Sequence, residues 1–258
     1  MNKIKDAFSH GKAFIGFLTA GDPTLETTER LIPAIAQAGA DLIEIGIPFS
    51  DPVAEGPTIQ EADRRALESG ATTDRIFEMV KRVTESVTVP LVFMTYINPI
   101  FTYGAERFVK ECKSCGISGL IVPDLPFEEK EELLPICREC GVTLISMIAP
   151  TSHERIARIA GQAEGFVYCV SSLGVTGVRS RITTDIGDMV ALVKSAADIP
   201  CAVGFGISTP EQARAIAGKA DGVIVGSAIV KIIAQYGTDS AAPVTEYVKS
   251  MKQAITEL

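Results

Sequence analysis

Short apolar segments alternate with longer segments of helical periodicity along the whole chain of 258 residues. Eight strand candidates are found at Ala13–Thr19, Asp41–Ile47, Pro90–Tyr96, Gly119–Pro123, Thr143–Ile148, Gly165–Ser171, Pro200–Gly206 and Gly222–Gly226. Helices are predicted between and after them at Thr24–Ala38, Ile59–Ser69, Thr73–Ser86, Ala105–Cys115, Glu128–Cys140, His153–Gln162, Ile186–Ala196, Pro210–Ala217 and Val244–Glu257. Strands that are apolar on both faces and alternate with helices predict a parallel sheet covered by helices.

The number of strand–helix units indicates how this sheet is arranged. Eight units in roughly 250 residues are the size of a closed (β/α)8 TIM barrel. A doubly wound open sheet is the alternative, but no G-x-G-x-x-G motif opens the first helix to support it. Because no linker-like segment divides the chain, we predict one TIM-barrel domain over residues 1–258, with an extra N-terminal helix.

The charge of the chain narrows the choice of partners. Its 24 Lys+Arg and 32 Asp+Glu give a formal net charge of -8 at pH 7. Contacts with nucleic-acid phosphates or an anionic membrane need Lys and Arg side chains. We therefore expect neither nucleic acid nor a membrane as the main partner, while a local anion site remains compatible with this charge.

The N-terminus and the cysteines bear on the cellular compartment. The first ten residues lack the apolar run of a signal peptide, and every apolar run ends within about ten residues. These features predict a cytoplasmic protein with six reduced cysteines. Two CxxC pairs, Cys112/Cys115 and Cys137/Cys140, match a zinc-ribbon spacing. Each pair also closes a predicted amphipathic helix, where cysteines pack as small hydrophobes, and we favour packing over a metal site.

A carboxyl group lies in the middle of the second predicted strand. Alternation places Glu44 with Leu42 and Gly46 on one face, opposite Ile43 and Ile45. The isoleucine face should meet the helices, so Glu44 should point into the barrel mouth. Desolvation there would raise its pKa and let it transfer protons near neutral pH. A structural ion pair is the alternative interpretation.

Three more carboxylates lie close to predicted strand ends, where the active sites of TIM barrels are found. Glu55 follows strand two in a loop rich in Pro and Gly and is the candidate for a second catalytic carboxylate. Asp51 precedes Pro52 and is most simply a turn-forming residue. Asp124 ends strand four, and a structural supporting role is favoured there at least as much as a catalytic one.

Glycine-rich segments follow predicted strands six, seven and eight, at 171–177, 204–208 and 226–228. Backbone N–H groups in such loops bind anions, and Ser227 opens a short helix, Ala228–Gln235, whose N-terminus favours negative charge. Loops after strands seven and eight plus a short extra helix form the usual phosphate site of these barrels. We therefore predict a phosphate-binding helix after strand eight. Arg179 and Arg181 either add charge to this site or are solvated surface residues.

Four other side chains are weaker candidates for a catalytic or metal-binding role. His10 and His153 lie away from the carboxyl ends of the predicted strands, so neither a His-based triad nor a histidine metal site is supported. Tyr96 and Tyr168 fall in predicted strands three and six. We expect both to pack or to hydrogen-bond near the barrel mouth.

Six segments follow one another in a specific order: FLTAGDP at 17–23, IEIGIPFSDP at 43–52, GPTIQ at 56–60, GVTG at 174–177, GFGIS at 204–208 and GSAIV at 226–230. Together they closely resemble the tryptophan synthase α chain family. The run around Glu44 is highly specific, and the resemblance covers essentially the whole chain. It implies a lyase that splits indole-3-glycerol phosphate into indole and glyceraldehyde 3-phosphate.

The resemblance also implies a partner. In the family's α2β2 complex, indole passes through a tunnel to a β chain, where pyridoxal phosphate joins it to serine and L-tryptophan is made. That cofactor would belong to the β chain, so no cofactor is expected in this one.

The functional residues of the family fall on matching positions here. The resemblance implies that Glu44 is the general acid/base and that Glu55 is the second carboxylate, which accepts a hydrogen bond from the indole N–H. The implied substrate-binding residues are Phe17, Tyr168, Thr176, Gly177, Gly206, Gly226 and Ser227. The two aromatic residues would line the indole pocket, the threonine would close near Glu44, and the last four would hold the phosphate.

Two positions depart from the family pattern. Glu55 stands where the family has Asp. The extra methylene group of Glu moves the carboxylate by about 1.5 Å. A misplacement of about 1 Å can lower the rate on the order of 100-fold. Ser172 stands where the family often has Arg. The alternatives are therefore a catalytically weak α-like subunit that mainly activates the β chain allosterically, a stand-alone indole-releasing lyase and, more distantly, a phosphate-barrel isomerase.

Overall fold

The computed structural model describes residues 3–170, 186–204 and 206–257. Their strands are β1 (Ala13–Thr19), β2 (Leu42–Gly46), β3 (Leu91–Met94), β4 (Gly119–Ile121), β5 (Thr143–Leu144), β6 (Ser146–Ile148), β7 (Val167–Val170), β8 (Cys201–Gly204) and β9 (Gly222–Val225). All neighbouring strands are parallel, in the order β5-β4-β3-β2-β1-β9-β8-β7-β6. The predicted parallel barrel is therefore confirmed.

The predicted fifth strand, Thr143–Ile148, is divided in two. Its first part, β5, pairs with β4, whereas its second part, β6, pairs with β7. Ile145 lies between them and donates its N–H to the carbonyl oxygen of Leu120 at 2.8 Å. Because the strand changes partners midway, it links the two edges of the sheet, and the nine segments amount to the eight predicted strands.

Helices cover the outside of the sheet. The described residues form α1 (Lys3–Asp6), α2 (Leu25–Gln37), α3 (Pro57–Glu68), α4 (Thr73–Val83), α5 (Ile97–Tyr103), α6 (Ala105–Ser114), α7 (Leu134–Cys140), α8 (His153–Ala160), α9 (Ile186–Ala196), α10 (Pro210–Ala217), α11 (Ser227–Tyr236) and α12 (Ala241–Thr256). Short 3-10 helices cover Phe127–Glu132 and Gly237–Asp239. Within the described ranges, no helix has the length and apolar character that crossing a membrane requires.

Two helix predictions need correction. The single helix predicted over Glu128–Cys140 is wrong, because a 3-10 helix ends at Glu132 and α7 begins at Leu134. Pro135 lies in the first turn of α7, where its missing N–H costs nothing, but the same residue would interrupt a longer helix. The short helix α5, directly after the third strand, was not predicted.

Two buried apolar clusters lie on opposite faces of the strands. Ile43 and Ile45 belong to the cluster between strands and helices, whereas Leu42 and Phe17 belong to the cluster inside the barrel. Since Glu44 shares the strand face of Leu42, its side chain is directed inward, and the predicted direction is confirmed.

The predicted N-terminal helix is α1, and it closes one end of the barrel. Ile4 is fully buried in the inner cluster. Its side chain packs against Gly119 and Gly165, which lie at or just before the amino ends of β4 and β7. The amino end of the barrel is thus filled, and the carboxyl ends of the strands form the open mouth.

Candidate active site

A cavity opens at this mouth, with a volume of about 60 Å³. Seven of the nine predicted site residues line it: Phe17, Glu44, Glu55, Tyr168, Gly206, Gly226 and Ser227. The other two, Thr176 and Gly177, lie outside the described residues, as do Ser172, Arg179 and Arg181.

The apolar wall of the cavity depends on aromatic rings that lie against glycines. A Cβ atom at Gly46 would come within 2.7 Å of the Phe17 ring, and one at Gly226 within 3.2 Å of the same ring. A Cβ atom at Gly204 would come within 2.5 Å of the Tyr168 hydroxyl oxygen. Only glycine permits these close approaches, and the result is an apolar recess suited to a flat aromatic group.

Glu44 lies at the base of this recess, in the middle of β2. Its side chain is 0% exposed, and neither carboxyl oxygen has a hydrogen-bond partner in the described structure. Burial raises the pKa of Glu44 from its ordinary 4.5 to about 8, and the charge of Glu55 contributes to the rise. The predicted rise in pKa is confirmed. No described cation pairs with the Glu44 carboxyl group, so the alternative of a structural ion pair is not supported. Glu44 is therefore protonated at neutral pH.

Glu55 lies in the loop between β2 and α3 and is 5% exposed. Its N–H donates to the carbonyl of Pro52 at 3.2 Å, and Gln60 Nε2 donates to the Glu55 carbonyl at 2.8 Å. The preceding N–H, of Ala54, donates to the Tyr96 hydroxyl at 3.0 Å. These three hydrogen bonds fix the backbone from which the Glu55 side chain enters the cavity.

Tyr96 and Asp124 support the mouth from outside the cavity lining. The Tyr96 ring packs against Phe49, with ring centroids 5.4 Å apart, and its hydroxyl holds the Glu55 loop as described. An Asp124 carboxylate oxygen accepts the N–H of Ile97 at 2.9 Å and thereby fixes the start of α5. The supporting role weighed for Asp124 is what its contacts show.

The side of the cavity lined by Gly226 and Ser227 is the N-terminus of a helix. Helix α11 begins at Ser227, its N-cap Gly226 has no side chain to accept an N–H, and its first turn contains no acidic residue. Gly206 also lines the cavity and has a positive φ of 84°, which glycine adopts without strain. The first N–H groups of a helix carry partial positive charge and bind phosphate oxygens. The predicted helix after strand eight is thus present.

Three residues considered in the sequence analysis lie away from the cavity. Asp51 is exposed and accepts a 2.6 Å hydrogen bond from the neighbouring Ser50 hydroxyl, which fits a turn residue. His10 and His153 are exposed as well. None of these three contributes to the cavity lining.

The four cysteines of the CxxC pairs are buried free thiols in the outer core cluster. Burial raises the pKa of Cys115 to about 11 and that of Cys137 to about 12, the latter helped by Cys140, so these two thiols are protonated. Within the described ranges, no group of three or more His, Cys, Asp or Glu is arranged to hold a metal ion. The burial of the four cysteines in the outer core cluster supports the interpretation that they pack as small hydrophobic side chains.

One buried acid near the site was missed from the sequence. Asp63 lies on α3, is 5% exposed, and has a pKa raised to about 8 by burial and by the charge of Glu55. It shares the buried face of α3 with Ile59, Ala62 and Ala66, and a carboxylate at that helical spacing was the available signal. The apolar lining residues Met94, Met147, Pro123, Ile207 and Ile224 were missed too, because nothing in their local pattern separates them from core residues.

Comparison with known proteins decides the family. Residues 4–256 match the family profile described as tryptophan synthase alpha chain. The chain belongs to the tryptophan synthase α chain family. The resemblance inferred from the six segments is confirmed. Its reaction is the lyase reaction of that family, cleavage of indole-3-glycerol phosphate in tryptophan biosynthesis.

Full-length relatives agree with this assignment. The tryptophan synthase alpha chain of Lactiplantibacillus plantarum is 50% identical over 256 residues, which cover 99% of this chain and 97% of the relative. The crystal structure of the tryptophan synthase alpha chain from Legionella pneumophila is 34% identical, with a TM-score of 0.90 over 100% of this chain and 98% of that one. A structure of Mycobacterium tuberculosis tryptophan synthase is 33% identical, with a TM-score of 0.88 over 98% of this chain and 96% of that chain. The family works with a β chain, and its α chains generally need no cofactor of their own.

Proposed function

We propose that Glu44 is the general acid/base of the family reaction in this chain. The observation that carries the proposal is a fully buried carboxyl group that faces an apolar cavity and has no hydrogen-bond partner among the described residues. A carboxyl group with a pKa of about 8 is a neutral acid at pH 7, ready to give up a proton. The same residue can take a proton back within one turnover.

Two proton transfers by Glu44 complete the reaction. Its proton first goes to C3 of the indole ring, which becomes a cation with charge at the ring nitrogen. The Glu44 carboxylate then removes the proton of the adjacent glycerol hydroxyl, whose oxygen forms the aldehyde carbonyl. The electron pair of the breaking carbon–carbon bond returns to the ring, so that indole and glyceraldehyde 3-phosphate leave and Glu44 is again protonated.

Glu55, Phe17 and Tyr168 position the indole in this scheme. The Glu55 carboxylate accepts a hydrogen bond from the indole N–H and stabilises the positive charge that develops there. The two aromatic side chains bound the apolar recess that takes the ring. Geometry supports these three roles, because all three side chains line the cavity together with Glu44.

The phosphate group is held by the backbone N–H groups of Gly226 and Ser227, at the start of α11, and of Gly206, in the loop after β8. The uncapped N-terminus of that helix supports this assignment. Thr176 and Gly177 complete the proposed set, in the roles that the family resemblance implies for them; both lie outside the described residues.

The mouth is also the proposed docking face for the β chain. Val53, on the loop that carries Glu55, is 75% exposed, and Phe101, on α5, is 48% exposed. Exposed apolar side chains beside the mouth suit a partner that receives indole directly. We propose an α2β2 assembly in the cytoplasm, with this chain as one domain over residues 1–258 and pyridoxal phosphate in the β chain.

An indole-production assay tests the proposal. Indole can be separated from the charged substrate by extraction into an organic solvent and measured by its fluorescence, and the chain, which contains no Trp, adds no indole fluorescence of its own. We expect turnover by the wild type, a higher rate when a β chain is added, and loss of turnover in Glu44→Gln with the fold retained. Turnover at the wild-type rate in Glu44→Gln would remove Glu44 from the mechanism, and no response to a β chain would favour a stand-alone lyase.

A further inference from the structure

Asp63 is a buried acid that the reaction scheme does not use. It lies in the second turn of α3, the helix that begins at Pro57, two residues after Glu55. Two neighbours on that helix, Ile59 and Ala62, belong to the apolar cluster inside the barrel. This face of α3 therefore lies over the mouth, and Asp63 lies behind the cavity wall rather than in its lining.

The surroundings of Asp63 contain more negative than positive charge. Burial and the charge of Glu55 raise its pKa to about 8, and the charge of Asp22 adds to the rise. The Phe49 N–H lowers the pKa, but it does not outweigh these contributions. The Asp63 carboxyl is therefore neutral at pH 7.

No described cation is available to neutralise Asp63 instead. The guanidinium of Arg65, on the same helix, makes a two-pronged hydrogen bond to Asp22, at 2.8 Å on each side. Helix α11 packs on α3, and its only charged side chain, Lys231, is exposed. The remaining titratable group nearby is Tyr96, whose pKa is raised mainly by burial and then by the charges of Glu55 and Asp63.

We propose that Asp63 is a positioning residue for Glu55: it keeps its proton in the working enzyme, so that Glu55 alone carries the negative charge of the pair and remains aimed at the indole N–H. The proposal deepens the proposed function, because it depends on the role assigned to Glu55 there.

The reason lies in how adjacent buried carboxyls ionise. Two such groups do not both lose their protons at neutral pH, because the second charge would be created beside the first. The charge belongs on Glu55, which lines the cavity, while Asp63 lies behind it. If Asp63 lost its proton, repulsion would either move the Glu55 carboxylate or force a proton onto it, and the acceptor for the indole N–H would be lost in both cases.

The alkaline side of the pH profile tests this idea. In the wild type, Glu44 and Asp63 both have to be protonated, so log kcat/KM should fall with a slope approaching two above about pH 8. Asp63→Asn keeps the size of the side chain and removes the titration, so its slope should be one and its activity at pH 7 should stay within about threefold of the wild type. Glu61→Gln, an exposed carboxylate on the same helix, is the matched control and should keep the slope of two.

Infrared difference spectroscopy gives a second readout that does not depend on turnover. The wild type at neutral pH should show carbonyl bands of protonated carboxyl groups from Glu44 and Asp63, and both bands should vanish at high pH. The Asp63 band should be absent from Asp63→Asn and present in Glu44→Gln and Glu61→Gln. If Asp63→Asn fails to fold, the band that remains in Glu44→Gln still reports whether Asp63 holds a proton.

The outcomes separate this proposal from the proposed function. A slope unchanged in folded Asp63→Asn, or no protonated band beyond that of Glu44, would overturn the role of Asp63. Full turnover in Glu44→Gln would instead overturn the assignment of Glu44, while the Asp63 band would remain as expected. A large loss of activity in folded Asp63→Asn at pH 7 would show that the group acts as a charge, contrary to the proposal.

Discussion

Replacing Glu44 with Gln should make the chain more stable at neutral pH while it removes catalysis. The wild-type carboxyl is fully buried and has no hydrogen-bond partner in the described structure, so its charged form is strongly disfavoured. Its pKa is about 8 in the folded chain against an ordinary 4.5. The folded chain thus holds a proton that the unfolded chain releases between these two values.

The size of the effect follows from that difference. Since the folded state binds more protons in this interval, the free energy of unfolding falls as pH rises, by about 1.4 kcal/mol per pH unit. The loss reaches about 3 kcal/mol at pH 7 and levels off near 5 kcal/mol above pH 8. Gln does not titrate, so Glu44→Gln escapes this loss, and the difference in stability between variant and wild type should widen with pH. Asp63 titrates in both chains and cancels from the difference.

Urea unfolding followed by far-ultraviolet circular dichroism, at half-unit steps from about pH 5 to 9, measures this difference curve. Glu61→Gln, which replaces an exposed carboxylate on α3, serves as the control. In parallel, indole production by Glu44→Gln should fall by at least about 100-fold, the usual range for loss of a general acid/base. A stability difference that stays constant across the pH range would refute the argument from burial.

Three further substitutions test other parts of the site. Glu55→Asp should lower kcat/KM for indole production by on the order of 10- to 100-fold, because the loop backbone is fixed and the shorter side chain falls short; a large rise would favour the weak, mainly allosteric subunit. Gly226→Ala should raise KM about tenfold and weaken competitive inhibition by inorganic phosphate, since the new Cβ contacts Phe17 at 3.2 Å beside the N-terminus of α11. Asp22→Asn should lower the free energy of unfolding by about 2 kcal/mol in urea titrations, because it leaves the partly exposed Arg65 without its buried partner.

Features that depend on local sequence were predictable. The inward direction of Glu44 follows from simple alternation on β2, and the start of α11 follows from a glycine before Ser227. The division of the fifth strand was not, because the change of partner at Ile145 depends on β4 and β7, which are distant in sequence. Asp63 was missed although its spacing from Ile59 and Ala66 was a local signal for the buried face of α3. That this face lies over the barrel mouth depends on residues distant in sequence.

Charge at the site shows how an acidic chain can bind an anionic substrate. The net charge of -8 gives no hint of a phosphate ligand, and three carboxyl groups are buried at or beside the cavity. If all three were ionised, their repulsion would oppose binding of a phosphate ester. With Glu44 and Asp63 protonated, only the charge of Glu55 remains among the three, and in the proposed scheme it accepts a hydrogen bond from the indole N–H, where positive charge develops. The same burial that makes Glu44 an acid therefore also lowers the electrostatic cost of binding, so affinity for the substrate and catalytic rate should decline together as pH rises above about 8.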